Sequence, residues 1–264
     1  MDGRAIGVFD SGLGGLTAAR VLEEILPYEN LIYFGDTANM PYGPRTREDL
    51  VRLAVSNTEF LLEKDVKAIV VACGTVSSNA MDVLRQRFDL PFFGVIDAAA
   101  IAAAEATETG RVGVIATEAS IRSGAYRRAL VDMDRNIRVF DTACPSFVPL
   151  VESGHTAADD SLVRAAVEKE LWELRRFEPD TLILGCTHFP LLEEAIRDFM
   201  GRDVQLISCG GEAALSLGEY LHRENMLNNA KKAGVRRYFT SGDTGSFSRQ
   251  AAAFLGHGVE AESR

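Results

Sequence analysis

The sequence predicts an α/β chain of two similar halves, each built on a mostly parallel sheet. Short apolar runs alternate along all 264 residues with longer segments of helical period, the pattern of repeated strand-helix-strand units. Nine such runs, at residues 5–9, 31–35, 67–72, 92–96, 111–116, 137–140, 180–184, 204–207 and 236–240, are many for one doubly wound sheet. Two of them end alike: Ala68-Ile69-Val70-Val71-Ala72-Cys73-Gly74-Thr75 and Thr181-Leu182-Ile183-Leu184-Gly185-Cys186-Thr187-His188. The two cysteines lie 113 residues apart, about one domain length.

The first run leads into Asp10-Ser11-Gly12-Leu13-Gly14-Gly15 and then a helix over 16–26. Glycines there let backbone N–H groups approach an anion, and a helix N-terminus favours negative charge. The spacing is not G-x-G-x-x-G and no clear acidic partner follows, so the cradle suits a small carboxylate better than a pyrophosphate. Asp10 either caps this helix or orients a thiol or a substrate ammonium. The second run opens into Gly35-Asp36-Thr37-Ala38-Asn39-Met40-Pro41-Tyr42-Gly43-Pro44, rich in turn formers.

A helix follows over 46–63, with Leu50, Leu53, Ala54, Phe60 and Leu61 at helical spacing and Thr46 to Asp49 as a capping box with Asp in the Glu place. An Ala-rich helix over 97–106 is the expected crossing into the second half. A helix over 158–177 turns Leu162, Ala166, Leu171 and Leu174 inward, and Ser208-Cys209-Gly210-Gly211 marks the return. The expected domains are therefore residues 1–97 with 209–264, and residues 98–208. Right-handed crossovers place the helices on the sheet faces.

Parallel strands open at their carboxyl ends onto the ligand crevice. Asp10-Ser11, Pro41-Tyr42-Gly43 and Cys73-Gly74-Thr75 then gather on one rim, and Thr117, Ser120 and Cys186-Thr187-His188 on the other. Two thiols facing one substrate suit a reaction that removes a proton from one face of a carbon and returns one to the other. A single buried cysteine usually acts as a small hydrophobe; the matched context singles out Cys73 and Cys186, whereas Cys144 and Cys209 lack it and are read as core packing.

Composition narrows the classes. A hydrophobic content of 47% supplies a sizeable core, and a net charge of −10 argues against nucleic acid or an anionic membrane surface as partner. The N-terminus carries no signal pattern and no apolar run reaches the ~20 residues of a membrane span, so a cytoplasmic protein is expected. Four cysteines without C-x-x-C spacing read as reduced thiols. Cys186 and His188 have no second close ligand pair for a closed metal site, so no metal is expected. Lys64, Lys67, Lys169, Lys231 and Lys232 lie at helix ends or before strands, and none follows a strand into a phosphate cup, so no pyridoxal phosphate or other cofactor is expected.

Together, Phe9-Asp10-Ser11-Gly12-Leu13-Gly14-Gly15, Gly35-Asp36-Thr37 with Pro41-Tyr42-Gly43, Ala72-Cys73-Gly74-Thr75, Leu150-Val151-Glu152 and Leu184-Gly185-Cys186-Thr187-His188-Phe189-Pro190 resemble the cofactor-independent aspartate/glutamate racemases over essentially the whole chain. The resemblance implies two pseudosymmetric Rossmann-like domains with the active site in the cleft between them. It implies that Cys73 and Cys186 interconvert L- and D-glutamate, with Asp10 assisting Cys73, and His188 and Glu152 assisting Cys186. Ser11, Pro41, Tyr42, Gly43, Gly74, Thr75, Thr117, Ser120 and Thr187, with Asp10, would bind substrate. A homodimer that supplies D-glutamate to peptidoglycan precursors is the implied setting.

The chain departs from the family pattern at Gly74, where Cys-Asn-Thr is usual. The absent amide belongs against the substrate's amino group, and Ser77, Ser78, Asn79 or a water is the expected substitute. Ser120 stands where threonine is more usual, and Ser208-Cys209 replaces an Asp-Ser type pair.

An amino-acid α-proton is far less acidic than a thiol of pKa ~8.5, so the site must stabilise a carbanion through hydrogen bonds to the carboxylate, a retained ammonium and exclusion of water. Alternatives are racemisation of another small acid such as aspartate, a Cys-His hydrolase or transferase using Cys186 and His188 alone, and a two-domain binder without chemistry.

Overall fold

The computed structural model describes residues 2–264. The chain begins β1 (Ala5–Asp10), α1 (Leu16–Ile25), β2 (Leu31–Gly35), α2 (Arg47–Leu62), β3 (Val66–Val71), α3 (Gly74–Arg87), β4 (Phe92–Gly94) and α4 (Val95–Ala106). It continues through β5 (Arg111–Ala116), α5 (Glu118–Ser123), α6 (Ala125–Met133), β6 (Arg138–Ala143), α7 (Phe147–Glu152), α8 (Ser161–Arg176), β7 (Thr181–Leu184), α9 (Glu193–Met200) and β8 (Gln205–Ser208). It closes with α10 (Cys209–Arg223), β9 (Arg236–Thr240), α11 (Thr244–Leu255) and β10 (Ala261–Ser263).

The strands form two sheets, ordered β10-β9-β2-β1-β3-β4 and β6-β5-β7-β8, with parallel pairings throughout. Every residue of β1 and β3 is buried, as expected of strands covered by helices on both faces. The first sheet thus draws strands from both sides of the second in sequence. Helix α4 packs against α6 and β7 on one side and α10 on the other, so it lies within the seam between the two lobes.

Local signals explain most boundaries. Thr46 caps α2 by accepting from Asp49 N–H at 3.2 Å, a contact of about 1 kcal/mol. The run expected as strand through 96 stops at Gly94, because the Ser77 hydroxyl accepts from Val95 N–H and lets Val95 and Ile96 open α4. Strand β6 extends to Ala143, beyond the expected 140, by pairing with all of β5. The expected inward Leu162 is 54% exposed. Asp160 caps α8 through Leu162 N–H, and Val163 and Val167 turn to the core in place of Leu162, alongside Leu171 and Leu174, which are buried as expected. A tenth strand, β10, is too short and polar to show in the hydrophobic pattern, and it pairs onto β9.

Away from the cleft, Lys67 in β3 is fully buried with its Nζ 2.6 Å from Glu29 Oε2. The same ammonium donates to the carbonyls of Asp2 and Met226, and Glu29 Oε1 accepts from Asn228 N–H. This charge is tolerated because two carbonyls accept from the ammonium and the Glu29 carboxylate balances its charge.

Candidate active site

Strands β1, β2 and β3 of one lobe and β5 and β7 of the other end facing each other around a cavity of about 370 Å³. From the first lobe it is lined by Asp10, Ser11, Pro41, Tyr42, Gly43, Cys73, Gly74 and Thr75, and from the second by Thr117, Glu152, Cys186, Thr187 and His188. Of the expected site residues, only Ser120 is absent from the walls. It is buried behind Thr117, joined to the Thr117 hydroxyl at 3.0 Å, and supports the wall from its outer side.

Cys73 leaves β3 and forms the N-cap position of α3. Its thiol donates to the Ser11 hydroxyl at 3.7 Å, and burial, followed by the negative charge of Asp10, pushes it up to about 11. Asp10 ends β1, where its carboxylate accepts from Gly12 N–H at 2.9 Å and from the Thr187 hydroxyl at 3.5 Å. Burial raises the Asp10 carboxyl above its ordinary value, against the pull of nearby His188. Asp10 does not cap α1: the helix starts after Gly15 without a side-chain cap.

Across the cavity, Cys186 Sγ lies 3.8 Å from His188 Nδ1. Burial raises this thiol well above its ordinary value, and the backbone hydrogen bond involving His188 opposes that rise. His188 Nε2 stands 3.3 Å from Glu152 Oε1, within ion-pair range but without hydrogen-bond alignment. Glu152 reaches it from the last turn of α7. Gly14 makes this seating possible: a Cβ there would lie 2.4 Å from Thr187 Oγ1 and 2.5 Å from His188 Nδ1. The first lobe's glycine loop therefore packs directly on the second lobe's Thr187-His188 segment.

Hydroxyls join the rims elsewhere. Thr75 and Thr117 meet at 3.2 Å, and the Thr17 hydroxyl, also bonded to Gly14 O, reaches the Thr187 carbonyl at 3.1 Å. Tyr42 turns its hydroxyl away from the cavity, donating to Asp36 Oδ2 at 2.5 Å and accepting from Asn57 Nδ2 at 3.1 Å. Buried Asp36 also accepts from Asn39 and from Ser241 on the far side of the β2–β9 pair. This hub, which holds the loop carrying Pro41, Tyr42 and Gly43, had no signal in the sequence beyond a turn-rich segment.

The structure corrects two further expectations. Cys144, read as core packing, is buried and also lines the cavity. Because β6 runs to Ala143, Cys144 occupies the same strand-end position as the other two thiols; the expected strand was too short to reveal it. Burial and Glu170 push its thiol up. Ser77, Ser78 and Asn79 do not replace the missing amide at position 74. Their side chains donate to the carbonyls of Val71, Gly74 and Thr75 respectively, and none lines the cavity.

Among the described residues, no lysine or arginine lines the cavity, although Asp10, Glu118 and Glu152 do. A carboxylate substrate would be received by backbone N–H groups at the starts of α3 and α5 and by the Ser and Thr hydroxyls, and an ammonium would add the cationic charge these walls lack.

A deep cleft between two parallel α/β lobes, with a thiol at a strand end on each side, defines a class, and comparison agrees. The chain belongs to the Asp/Glu/Hydantoin racemase family, whose model matches residues 16–217. More particularly, it is 41% identical to the glutamate racemase of Geobacter metallireducens, over 97% of this chain and 94% of that one. It superposes on a glutamate racemase isoform from Bacillus anthracis with a TM-score of 0.95 at 37% identity, covering 100% of this chain and 98% of that one. The Francisella tularensis glutamate racemase in complex with D-glutamate gives 0.92 at 34% identity, covering 100% and 98%.

Proposed function

We propose that this chain is a glutamate racemase that works without a cofactor and uses Cys73 and Cys186 as its two proton-transfer groups. The observation that carries the reading is the placement of these thiols on opposite lobes of one cavity. One thiolate takes the α-proton, leaving a carbanion; the opposite thiol then gives its proton to the other face and is left as thiolate. The product is the enantiomer, and proton exchange with solvent resets the pair. In this reading Asp10 assists Cys73, and His188, with Glu152 3.3 Å from its Nε2, assists Cys186, whose Sγ lies 3.8 Å from His188 Nδ1.

Both thiols sit above the ordinary range, so ionisation must be favoured by something that arrives. In this reading that is the substrate ammonium, a cation brought into walls that hold no lysine or arginine among the described residues. Thr75, Thr117 and Thr187 hydroxyls, with backbone N–H groups at the start of α3, hold the carboxylates as charge develops. Residues 2–97 with 209–264 and residues 98–208 act as the two lobes. A cytoplasmic homodimer supplying D-glutamate to peptidoglycan precursors completes the proposal.

Proton NMR of L- and D-glutamate in D₂O with wild type, Cys73→Ser and Cys186→Ser tests it. Wild type should place deuterium at the α-carbon and each serine variant should lose racemisation; no deuteration with wild type refutes the reading. Retained turnover in Cys73→Ser would instead favour a Cys186-His188 hydrolase or transferase. The departure at Gly74 keeps aspartate open as substrate, and its turnover beside glutamate in the same assay decides between them.

A further inference from the structure

Gly74 directly follows Cys73, and Gly185 directly precedes Cys186. Across the cleft these two glycines touch: a Cβ built on Gly74 would lie 2.7 Å from the Gly185 carbonyl oxygen. Real Cβ atoms essentially never come so close to a backbone atom, and a carbonyl in the main chain cannot swing aside as a side-chain tip does.

Conformation does not demand glycine at either place. Neither residue has positive φ, and Gly74 is the first residue of α3, where alanine is the better helix former. The demand is for space. On its other side, the Gly185 carbonyl accepts from the Tyr126 hydroxyl at 3.2 Å, and a Cβ on Gly185 would strike the Tyr126 ring at 2.9 Å and Ile115 O at 2.8 Å. The Gly185-Cys186 peptide is thus held between Gly74 of one lobe and Tyr126 of its own.

We propose that Gly74 is a positioning residue: its bare contact with the Gly185 carbonyl sets the separation of Cys73 and Cys186. The proposal rests on the reading of these thiols as the reacting pair. It gives the departure from Cys-Asn-Thr a different meaning from a missing substrate contact. In this chain any side chain at 74 acts first as a wedge between the lobes. Raising the contact from 2.7 Å to an ordinary 3.4 Å requires some 0.7 Å of separation between the strand ends. Misplacement of about 1 Å in a proton-transfer geometry costs as much as 100-fold in rate.

Crystal structures and steady-state kinetics of Gly74→Ala and Gly74→Asn test the proposal. Both variants should widen the Cys73–Cys186 Cα separation by several tenths of an ångström. They should lower kcat by about 10- to 100-fold with KM changed far less, and the melting temperature should fall as the wedge overpacks the contact with the Gly185 carbonyl. A rise in kcat/KM on introducing asparagine, or an unchanged Cα separation in Gly74→Ala, overturns it. The separation is read without turnover, so it decides the proposal even if wild type fails to racemise glutamate. Should residue 74 tolerate no side chain, Tyr126→Phe cuts the hydrogen bond on the other side of the same carbonyl. That variant should displace Cys186 relative to Cys73; an undisplaced Cys186 overturns the clamp.

Discussion

The protonation of Cys73 lends itself to direct measurement. Its thiol is moved from an ordinary 9.0 to about 11, first by burial and second by the charge of Asp10. At pH 8 an ordinary cysteine is about 9% thiolate, whereas one at 11 is about 0.1%, a ~100-fold difference in the reactive form. Alkylation of Cys73 by iodoacetamide, followed by peptide mass spectrometry in the folded protein, should therefore run about 100-fold slower at pH 8 than in the urea-unfolded chain, before any steric protection. The rate should climb about tenfold per pH unit up to pH 10. Asp10→Asn removes the nearby negative charge and should shift the rise to lower pH. Cys186, also raised by burial, should likewise label more slowly at pH 8 than in the urea-unfolded chain. A rate that levels off at or below pH 9, or an Asp10→Asn variant that labels more slowly, would refute the reasoning.

The same thiols predict alkaline instability. A thiol whose pKa is raised in the folded state keeps its proton there while the unfolded chain releases one, so stability is full below the unfolded value near 9 and falls as pH rises toward the folded value. For Cys73 at about 11 and Cys209 at about 12 the loss is about 1.4 kcal/mol per pH unit each. Urea midpoints from pH 8 to 10 should fall, and less steeply in Cys209→Ala; equal slopes would count against it. Lys67→Met leaves Glu29 as an unpaired buried charge and should cost about 3–5 kcal/mol in urea unfolding, with glutamate turnover per folded molecule unchanged; a loss below 1 kcal/mol would contradict the buried-pair assignment. Glu152→Gln keeps the shape beside His188 but loses the charge at 3.3 Å, and should lower kcat about 10-fold or more with little change in KM; unchanged kcat would remove Glu152 from the mechanism.

Much of the fold was legible because parallel strands buried on both faces leave continuous apolar runs, as in β1, β3 and β7. What escaped depended on contacts distant in sequence. The length of β6, and hence the place of Cys144, is set by pairing with β5, and β10 exists because β9 offers it an edge. Leu162 turned outward because a cap at Asp160 fixed the phase of α8, which hydrophobic spacing alone left open by one position. In the site, Asp10, Ser11, Cys73 and the Cys186-Thr187-His188 run could be placed at one crevice from strand ends alone. The hub at Asp36 could not, since Tyr42 and Ser241, which donate to it, and Asn57, which donates to Tyr42, come from three separate segments. Nor could the meeting of Gly74 with Gly185, which is a property of the space between two lobes.

The hub at Asp36 also orders events during synthesis. Ser241 and Thr240, which brace Asp36 and Thr37 from behind, leave the ribosome about 200 residues after the loop they hold. The four strands β5 to β8 are contiguous and can assemble while the first sheet still lacks β9 along the flank of β2. Tyr42 and its loop gain their brace only when β9 docks. A nascent chain stopped before residue 236 would carry all the cavity's cysteines and yet an unbraced rim, so binding competence should emerge late and abruptly, with the docking of a strand that does not line the cavity.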